Sequence, residues 1–236
     1  MIKWEYGIVG FVDILGFSNI IEEDSKRLEP ASLKRILNGL HEAREKSQTE
    51  GIRIVSFSDT IILSSELSAD HLSKLIEKTI HIQTTLLRQN ILTRGGIAFG
   101  KHFQNQDTLF SEALIKAYKI ETSRAKFPRV VIDADLIDWV INDSETSTEQ
   151  KRQIKLKVLK DKDTEFFLDY LCKKTLAASA EVLTKVEAKK ITARILEKYQ
   201  WLNAYHNYKC SQHQLEFSCD NFTGGFEEAS KIFNSA

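Results

Sequence analysis

The sequence Phe11-Val-Asp-Ile-Leu-Gly-Phe-Ser18 ends an apolar run with one carboxylate and then turns at a glycine. Farther along, residues 52–64 read Ile-Arg-Ile-Val-Ser-Phe-Ser-Asp-Thr-Ile-Ile-Leu-Ser, which is two β-rich halves around Ser58-Asp59. This pattern predicts a tight hairpin with a carboxylate at its tip. Aspartates at two adjacent strand ends can hold a pair of divalent cations against a nucleoside triphosphate. Asp13 and Asp59 are therefore the first candidates for a functional site.

The order of elements around these aspartates narrows the fold class. Residues 4–13 predict a strand, residues 31–48 a helix, residues 69–90 a second helix after the N-cap Ser68, and residues 92–103 a fourth strand. With the hairpin between the helices, the order is βαββαβ, the ferredoxin-like arrangement of polymerase palms and nucleotide cyclases. An Asp beside a Gly is by itself well explained as a turn residue. The presence of both aspartates in this order of elements favours a functional site over two separate turn residues.

The second half of the chain predicts an extension of this core. No glycine or proline lies between residues 129 and 223, which indicates long helices with few tight turns. The predicted elements are a helix over 109–122, a strand over 129–133, a helix over 134–142, a loop over 144–150, a late hairpin of 154–159 and 164–168, and a helical pattern over 174–207. We expect an α+β fold with an antiparallel-rich mixed sheet. A catalytic core would span residues 1–145, and an extension over 146–236 would pack on it or on a dimer partner.

Composition excludes several classes of protein. The 236 residues are 42% hydrophobic and 28% charged, as is usual for a soluble globular protein, and the formal net charge is zero. Thirteen Lys or Arg face seven Asp or Glu over residues 151–200, but the acids interrupt the bases, which favours a solvated helical face over a nucleic-acid surface. No apolar run suggests a membrane span, and the first residues lack a signal-peptide pattern. We expect a cytoplasmic protein that binds neither nucleic acid nor membrane.

Two further groups of residues were considered as sites. Cys172, Cys210 and Cys219 lack the spacing of metal ligands and are predicted to be unpaired thiols. Trp201, Tyr205 and His206 could form a base-stacking or acid-base cluster. Packing of these aromatic side chains in a core or a dimer contact is the favoured interpretation.

Three stretches resemble the class III nucleotidyl cyclase family, over roughly residues 5–135. The segment from Phe11 to Ser18 is similar to that family's metal-binding strand, and Ser58-Asp59 is similar to its Gly-Asp hairpin. The stretch Arg94-Gly-Gly-Ile-Ala-Phe-Gly100 matches its Arg-x-Gly-Ile-x-x-Gly strand at every fixed position. The resemblance implies a magnesium- or manganese-dependent enzyme that cyclises a nucleoside triphosphate and releases pyrophosphate.

The resemblance also implies roles for individual residues. Asp13, Asp59 and the backbone carbonyl of Ile14 would hold two Mg²⁺ or Mn²⁺ ions at each site. The chain through Gly16, Phe17 and Ser18 would run beneath the phosphates, where backbone N–H groups can bind oxygen. Arg94 is a candidate for stabilising the developing charge, although an ion pair within the sheet explains it equally well. Because class III homodimers take the metals from one subunit and a later helix from the other, we expect a homodimer with composite sites.

The later helix departs from the family pattern at two positions. An Asn and an Arg four residues apart position the ribose and stabilise the transition state in the family, and here these positions are Ile115 and Lys119. Lys119 can still neutralise phosphate charge, but as a point charge without the guanidinium fork. A solvated lysine on an exposed helix face is the other interpretation of Lys119.

The base-reading positions also differ. The Lys and Asp by which adenylyl cyclases of this class read adenine become Val55 and Thr108, and an apolar Val55 cannot bond a purine edge. This pattern resembles the divergent cyclases of Pycsar anti-phage systems, which make cyclic UMP or cyclic CMP, as does the tail from Lys198 to Asn207. We expect UTP, ahead of CTP, as the substrate and a signalling role in anti-phage defence.

Two rival functions remain open at this point. One is a catalytically inactive cyclase-like sensor that binds a nucleotide; Ile115 favours it and the retained aspartates argue against it. The other is a palm-like polymerase or a diguanylate cyclase. The stretch Ser58-Asp59-Thr60 carries only one acid, which makes this second rival the weaker one.

Overall fold

The computed structural model describes residues 3–45, 51–105, 108–186, 192–214 and 227–228. Its strands are β1 (Glu5–Ile14), β2 (Arg53–Phe57), β3 (Thr60–Glu66), β4 (Thr93–Gln104), β5 (Leu109–Ser111), β6 (Val130–Ile132), β7 (Val158–Lys160), β8 (Phe166–Leu168) and β9 (Glu227–Glu228). Its helices are α1 (Phe17–Asp24), α2 (Ala31–Glu45), α3 (Ala69–Arg88), α4 (Glu112–Ser123), α5 (Ala134–Asn142), α6 (Thr148–Lys155), α7 (Leu176–Val186) and α8 (Ala193–Gln212).

The strands form one sheet in the order β2-β3-β1-β4-β6-β8-β7-β9, and β5 pairs with β4 at the side. All of the described pairs are antiparallel except β4 with β6. The segment β2-β3-β1-β4 is the ferredoxin-like arrangement, since β1 lies between β3 and β4 and the two helical crossovers leave β2 at the edge. The predicted α+β class and the antiparallel-rich mixed sheet are confirmed.

The central strand β1 presents two different faces. Ile8, Val12 and Ile14 belong to the main apolar core, which α3 covers. Because strand side chains alternate, Val9, Phe11 and Asp13 point to the opposite face, where α4 packs on β1 and β4. Asp13 therefore ends a buried strand on the face that α4 covers.

Close approach of α4 to the sheet depends on Gly96 in β4. A Cβ atom on Gly96 would lie 2.4 Å from the carbonyl oxygen of Ala117 in α4, well inside contact distance. The fully buried Ala98 and Ala113 complete this small-residue contact. The sequence Arg-Gly-Gly-Ile-Ala thus places α4 directly over the end of β1.

The last third of the chain continues the sheet of the first two thirds. β8 pairs with β6, with Val131 opposite Phe167, and α8 packs on this addition through Trp201 and Tyr205, whose rings each lie 5.4 Å from that of Phe167. Trp201 is 8% exposed and Tyr205 is fully buried, which confirms the packing interpretation of these aromatic residues. His206 is buried with them. The division at residue 145 stays a prediction.

The prediction of a strand over residues 154–159, the first half of the late hairpin, is wrong. Residues 148–155 form α6, and only Val158–Lys160 is a strand. The cause is a capping box, in which the Ser147 side chain accepts the backbone N–H of Gln150 and the Gln150 side chain accepts that of Ser147. The loop predicted over 144–150 therefore ends earlier, and the alternation of residues 154–159 does not mark a strand.

Two predicted helices also have different boundaries. The segment predicted over 109–122 begins with the short strand β5, because Leu109–Ser111 pairs with the end of β4 and Ser111 then caps α4. The pattern over 174–207 is two helices, α7 and α8, which pack on each other. Residues 46–48 and 187–191 of the predicted helices, and Cys219, lie outside the described residues.

Within the described part of the chain, neither Cys172 nor Cys210 forms a disulfide, as predicted. Within the described ranges, no helix has both the length and the apolar content to cross a membrane.

Candidate functional site

Hydrogen bonds of the sheet bring the two predicted aspartates together. Asp13 lies opposite Thr60 in β3 and Arg94 in β4. Asp59 occupies the tight turn between β2 and β3, next to Ser58 with its left-handed φ of 55°, and its carbonyl accepts the backbone N–H of Ile14 at 3.1 Å. The predicted hairpin and its juxtaposition with the end of β1 are confirmed, while the ligand roles of these residues stay predictions.

The carboxylates of Asp13 and Asp59 lie close enough for their negative charges to interact. Burial raises the pKa of Asp13, and the negative charge of Asp59 raises it further, while Arg94 acts in the opposite direction. Ionised Asp13 is therefore stabilised by positive charge at this place. A divalent cation would supply that charge.

Arg94 is a positively charged side chain that acts on Asp13. Its Nε lies 3.4 Å from Oδ2 of Asp13, and its Nη2 lies 2.5 Å from Oε1 of Glu121 in α4. The guanidinium thus joins β1, β4 and α4. This geometry is the ion pair that was one of the two interpretations of Arg94, and its role toward a substrate stays a prediction.

Glu121 is a third carboxylate that the sequence analysis missed. It is 3% exposed, and burial raises its pKa, which Arg94 lowers and Asp13 and Asp59 raise again. The available signal was its position on the buried stripe of α4, four residues after Ala117. A buried carboxylate such as that of Glu121 is costly unless it is paired, and its partner here is the guanidinium of Arg94.

The turn after β1 exposes backbone donors. Gly16 adopts a φ of 76°, which favours glycine, and it caps α1. Phe17 and Ser18 open that helix, and the N–H groups of the first helical residues have no partner within the helix. These groups lie directly after Asp13 and Ile14, and the phosphate contact stays a prediction.

Asn105, which follows β4 and binds Thr108, lies beside β2, the strand that contains Val55. The Ser64 hydroxyl donates to Oε1 of Gln104 at 2.8 Å, and the Arg53 guanidinium donates to the carbonyl of Asn105. These contacts bring the end of β4 over β2 and β3. Val55 is 40% exposed there, and Thr108 N–H donates to the Asn105 side chain at 2.8 Å.

Lys119 lies on the exposed side of α4, away from the buried stripe that contains Ala117 and Glu121. Ile115 and Tyr118 share this exposed side and are 57% and 51% exposed. The structure therefore does not bring Lys119 to the aspartates of its own chain. A site that uses Lys119 would take it from a second copy.

The donor set suits a hard divalent cation. Carboxylate and carbonyl oxygens are the ligands that Mg²⁺ and Mn²⁺ prefer, and Asp13, Asp59 and Ile14 offer them in one place. Within the described ranges, no group of three or more His, Cys, Asp or Glu side chains forms a metal cluster. A metal ion here would be held by two aspartate side chains, one backbone carbonyl and further ligands that are not part of the protein.

Comparison with known proteins supports the fold. The chain matches no family model, and no curated protein matches it in sequence. Among solved structures it resembles the adenylyl cyclase CyaB from P. aeruginosa, with a TM-score of 0.51 and 16% identity over 74% of this chain and 98% of that one. The chain therefore has a nucleotidyl cyclase fold, as the first part of the sequence predicts.

Two further solved structures are similar at lower scores. One is the monomeric guanylyl cyclase domain of the RhoGC fusion protein from the aquatic fungus Blastocladiella emersonii, with a TM-score of 0.46 and 16% identity over 70% of this chain and 94% of that one. The other is a class III adenylyl cyclase-like ATP-binding protein from Pseudomonas aeruginosa, with a TM-score of 0.44 and 11% identity over 64% of this chain and 40% of that one.

Proposed function

We propose that this protein is a metal-dependent nucleotidyl cyclase that converts a pyrimidine nucleoside triphosphate to its 3′,5′-cyclic nucleotide and pyrophosphate. The observation that carries the proposal is the pair Asp13 and Asp59 at adjacent strand ends of a nucleotidyl cyclase fold. The sequence motifs around Asp13, Asp59 and Arg94 add support because they resemble class III cyclases. The resemblance to Pycsar cyclases extends the proposal to a cytoplasmic signal in anti-phage defence.

Asp13, Asp59 and the carbonyl of Ile14 are the residues that would hold two Mg²⁺ or Mn²⁺ ions. Bound there, such ions lower the pKa of the ribose 3′-hydroxyl and neutralise the triphosphate. Arg94 pairs with both Asp13 and Glu121, so its guanidinium would stay paired with Glu121 when Asp13 holds a metal. Glu121 thus positions Arg94 for charge that develops on the α-phosphate.

The turn from Gly16 to Ser18 would orient the substrate. Its backbone N–H groups lie at the start of α1, where the helix dipole favours an anion. In-line placement of the 3′-oxygen and the α-phosphorus then depends on groups that hold both ends of the nucleotide.

We propose a homodimer in which each site takes the aspartates from one copy and Lys119 from the other. The exposed side of α4 and the edge strand β2 support this arrangement. Ile115, Tyr118 and Val55 are partly exposed there, and Phe57 is 81% exposed, which is costly for a free surface. In a contact about a twofold axis, these side chains would be buried on both copies.

The base choice is tested by incubating the purified protein separately with ATP, GTP, CTP and UTP and Mn²⁺, and identifying products by mass. We expect cyclic UMP as the main product and cyclic CMP as the second. Val55 has no polar group for a purine edge, and loss of a buried hydrogen bond can discriminate by up to about 10⁴-fold. The Thr108 hydroxyl can donate or accept and so suits uracil or cytosine.

The control for the base assay is the same protein with EDTA, which should make no product from any nucleotide. Purine turnover comparable to that of UTP would contradict the pyrimidine assignment. A preference for CTP would reverse only the order of the two pyrimidines. Nucleotide binding without any product, at saturating Mn²⁺, would favour the sensor function.

The composite site is tested by mixing two inactive variants, Asp59→Ala and Lys119→Ala. A heterodimer of these variants has one intact site, so random exchange should restore about a quarter of the wild-type sites. We expect a corresponding return of activity after mixing, and none in either variant alone. If a labelled subunit exchanges and activity stays at background, Lys119 does not complete the partner's site.

A further inference from the structure

Helix α8 is held against the sheet by its aromatic residues. The Trp201 ring stacks on Phe127 with centroids 5.8 Å apart, and its Nε1–H donates to Oδ2 of Asp161 at 2.6 Å. Leu202, the next residue, is fully buried. These contacts set both the position and the rotation of this part of α8.

Lys198 lies one helical turn before these contacts. Lys198 precedes Trp201 by three residues and Leu202 by four, so it lies on the packed face of α8, and it is half-buried. Helical side chains lean toward the helix N-terminus. Leu92 packs in the same apolar cluster as Trp201, and its carbonyl accepts the N–H of Leu15 at 2.9 Å. Leu92 immediately precedes β4, so the cluster that contains Trp201 extends to the place where β1 ends and β4 begins.

The charges around Lys198 are those of the candidate site. Burial lowers the pKa of its ammonium, and Arg94 and Arg194 lower it further, while Asp13 and Glu121 raise it. Arg94, Asp13 and Glu121 thus act on Lys198, and Asp59 acts in turn on Asp13 and Glu121.

We propose that Lys198, supplied by the extension on the same subunit, binds the polyphosphate of the nucleotide at the Asp13 and Asp59 site. This inference rests on the proposed function for the identity of the ligand. In this proposal α8 has a direct role in the site. The packing of Trp201 fixes the rotation of the helix, and this rotation directs Lys198 to the phosphates. A flexible lysine with three N–H donors suits a terminal phosphate oxygen.

The test measures binding of inorganic tripolyphosphate with Mg²⁺ by calorimetry, separately from turnover. Lys198→Ala should weaken the Kd about 10- to 100-fold, since one charge-assisted hydrogen bond is lost. Lys198→Arg should keep most of the affinity, because the positive charge remains. Lys185→Ala is the matched control, since that lysine is exposed on α7 and pairs with Glu181. It should bind like the wild type, and all variants should unfold at the same temperature.

Turnover then separates this inference from the proposed function. If the wild type binds tripolyphosphate through Lys198 and cyclises no nucleotide, the inference stands and the proposed function fails. If the wild type is an active cyclase and Lys198→Ala keeps its Kd and KM, the function stands and the inference is wrong. No binding of tripolyphosphate by the wild type would also overturn the inference.

Discussion

Replacing Asp59 or Asp13 by alanine is expected to abolish cyclisation while the protein stays folded. Each change removes a carboxylate that would hold metal, and loss of metal stabilisation costs several kcal/mol of barrier, or at least about 10³-fold in rate. The fold should tolerate the change, because burial and the charge of Asp59 already make ionised Asp13 unfavourable. The measurement is turnover of UTP at saturating Mn²⁺, with the unfolding temperature recorded for each variant.

Asp70→Ala is the matched control for the aspartate variants. Asp70 lies in the first turn of α3, which follows the end of β3 opposite to Asp59, and it pairs with Lys74. It should turn over like the wild type. Near-normal rates in Asp13→Ala or Asp59→Ala would remove the proposed mechanism, whatever the product.

Among the substitutions proposed for this protein, Arg129→Ala should lower the free energy of unfolding the most. Arg129 is fully buried, its Nη1 pairs with Asp161 and lies 3.0 Å from Oδ1 of Asp163, and its guanidinium lies over the rings of Phe127 and Trp201. Removing one partner of a buried ion pair costs about 3–5 kcal/mol, because a charge stays buried without compensation. For a chain of this size that is at least about 6 °C in Tm.

Arg152→Ala provides the comparison for Arg129→Ala in thermal unfolding. Arg152 pairs with Glu149 within α6, and both side chains are more than half exposed, so the pair should contribute at most about 1 kcal/mol. Equal unfolding temperatures for the two variants would show that the buried network does not hold the turn between β7 and β8 against α8. A lower affinity of Arg129→Ala for tripolyphosphate would follow from a displaced α8.

The first half of the fold could be predicted because its signals are local. An apolar run marks β1, Ser68 caps α3 as expected, and Ser58-Asp59 turns the hairpin. The meeting of Asp13 with Asp59 follows from the same order, since each ends a strand and adjacent strands share an edge. Local rules failed where a stronger local signal competed: the Ser147 and Gln150 capping box starts a helix within a segment whose alternation indicates a strand.

Only the tertiary structure decided which charged groups surround the aspartates. Glu121 reaches Arg94 because Gly96 lets α4 approach β4, and Lys198 faces the site because Trp201 fixes the rotation of α8. Sequence by itself determined the identity of these residues and the helices that carry them. The direction of a helical side chain depends on packing between segments distant in the chain, and no local pattern encodes that packing.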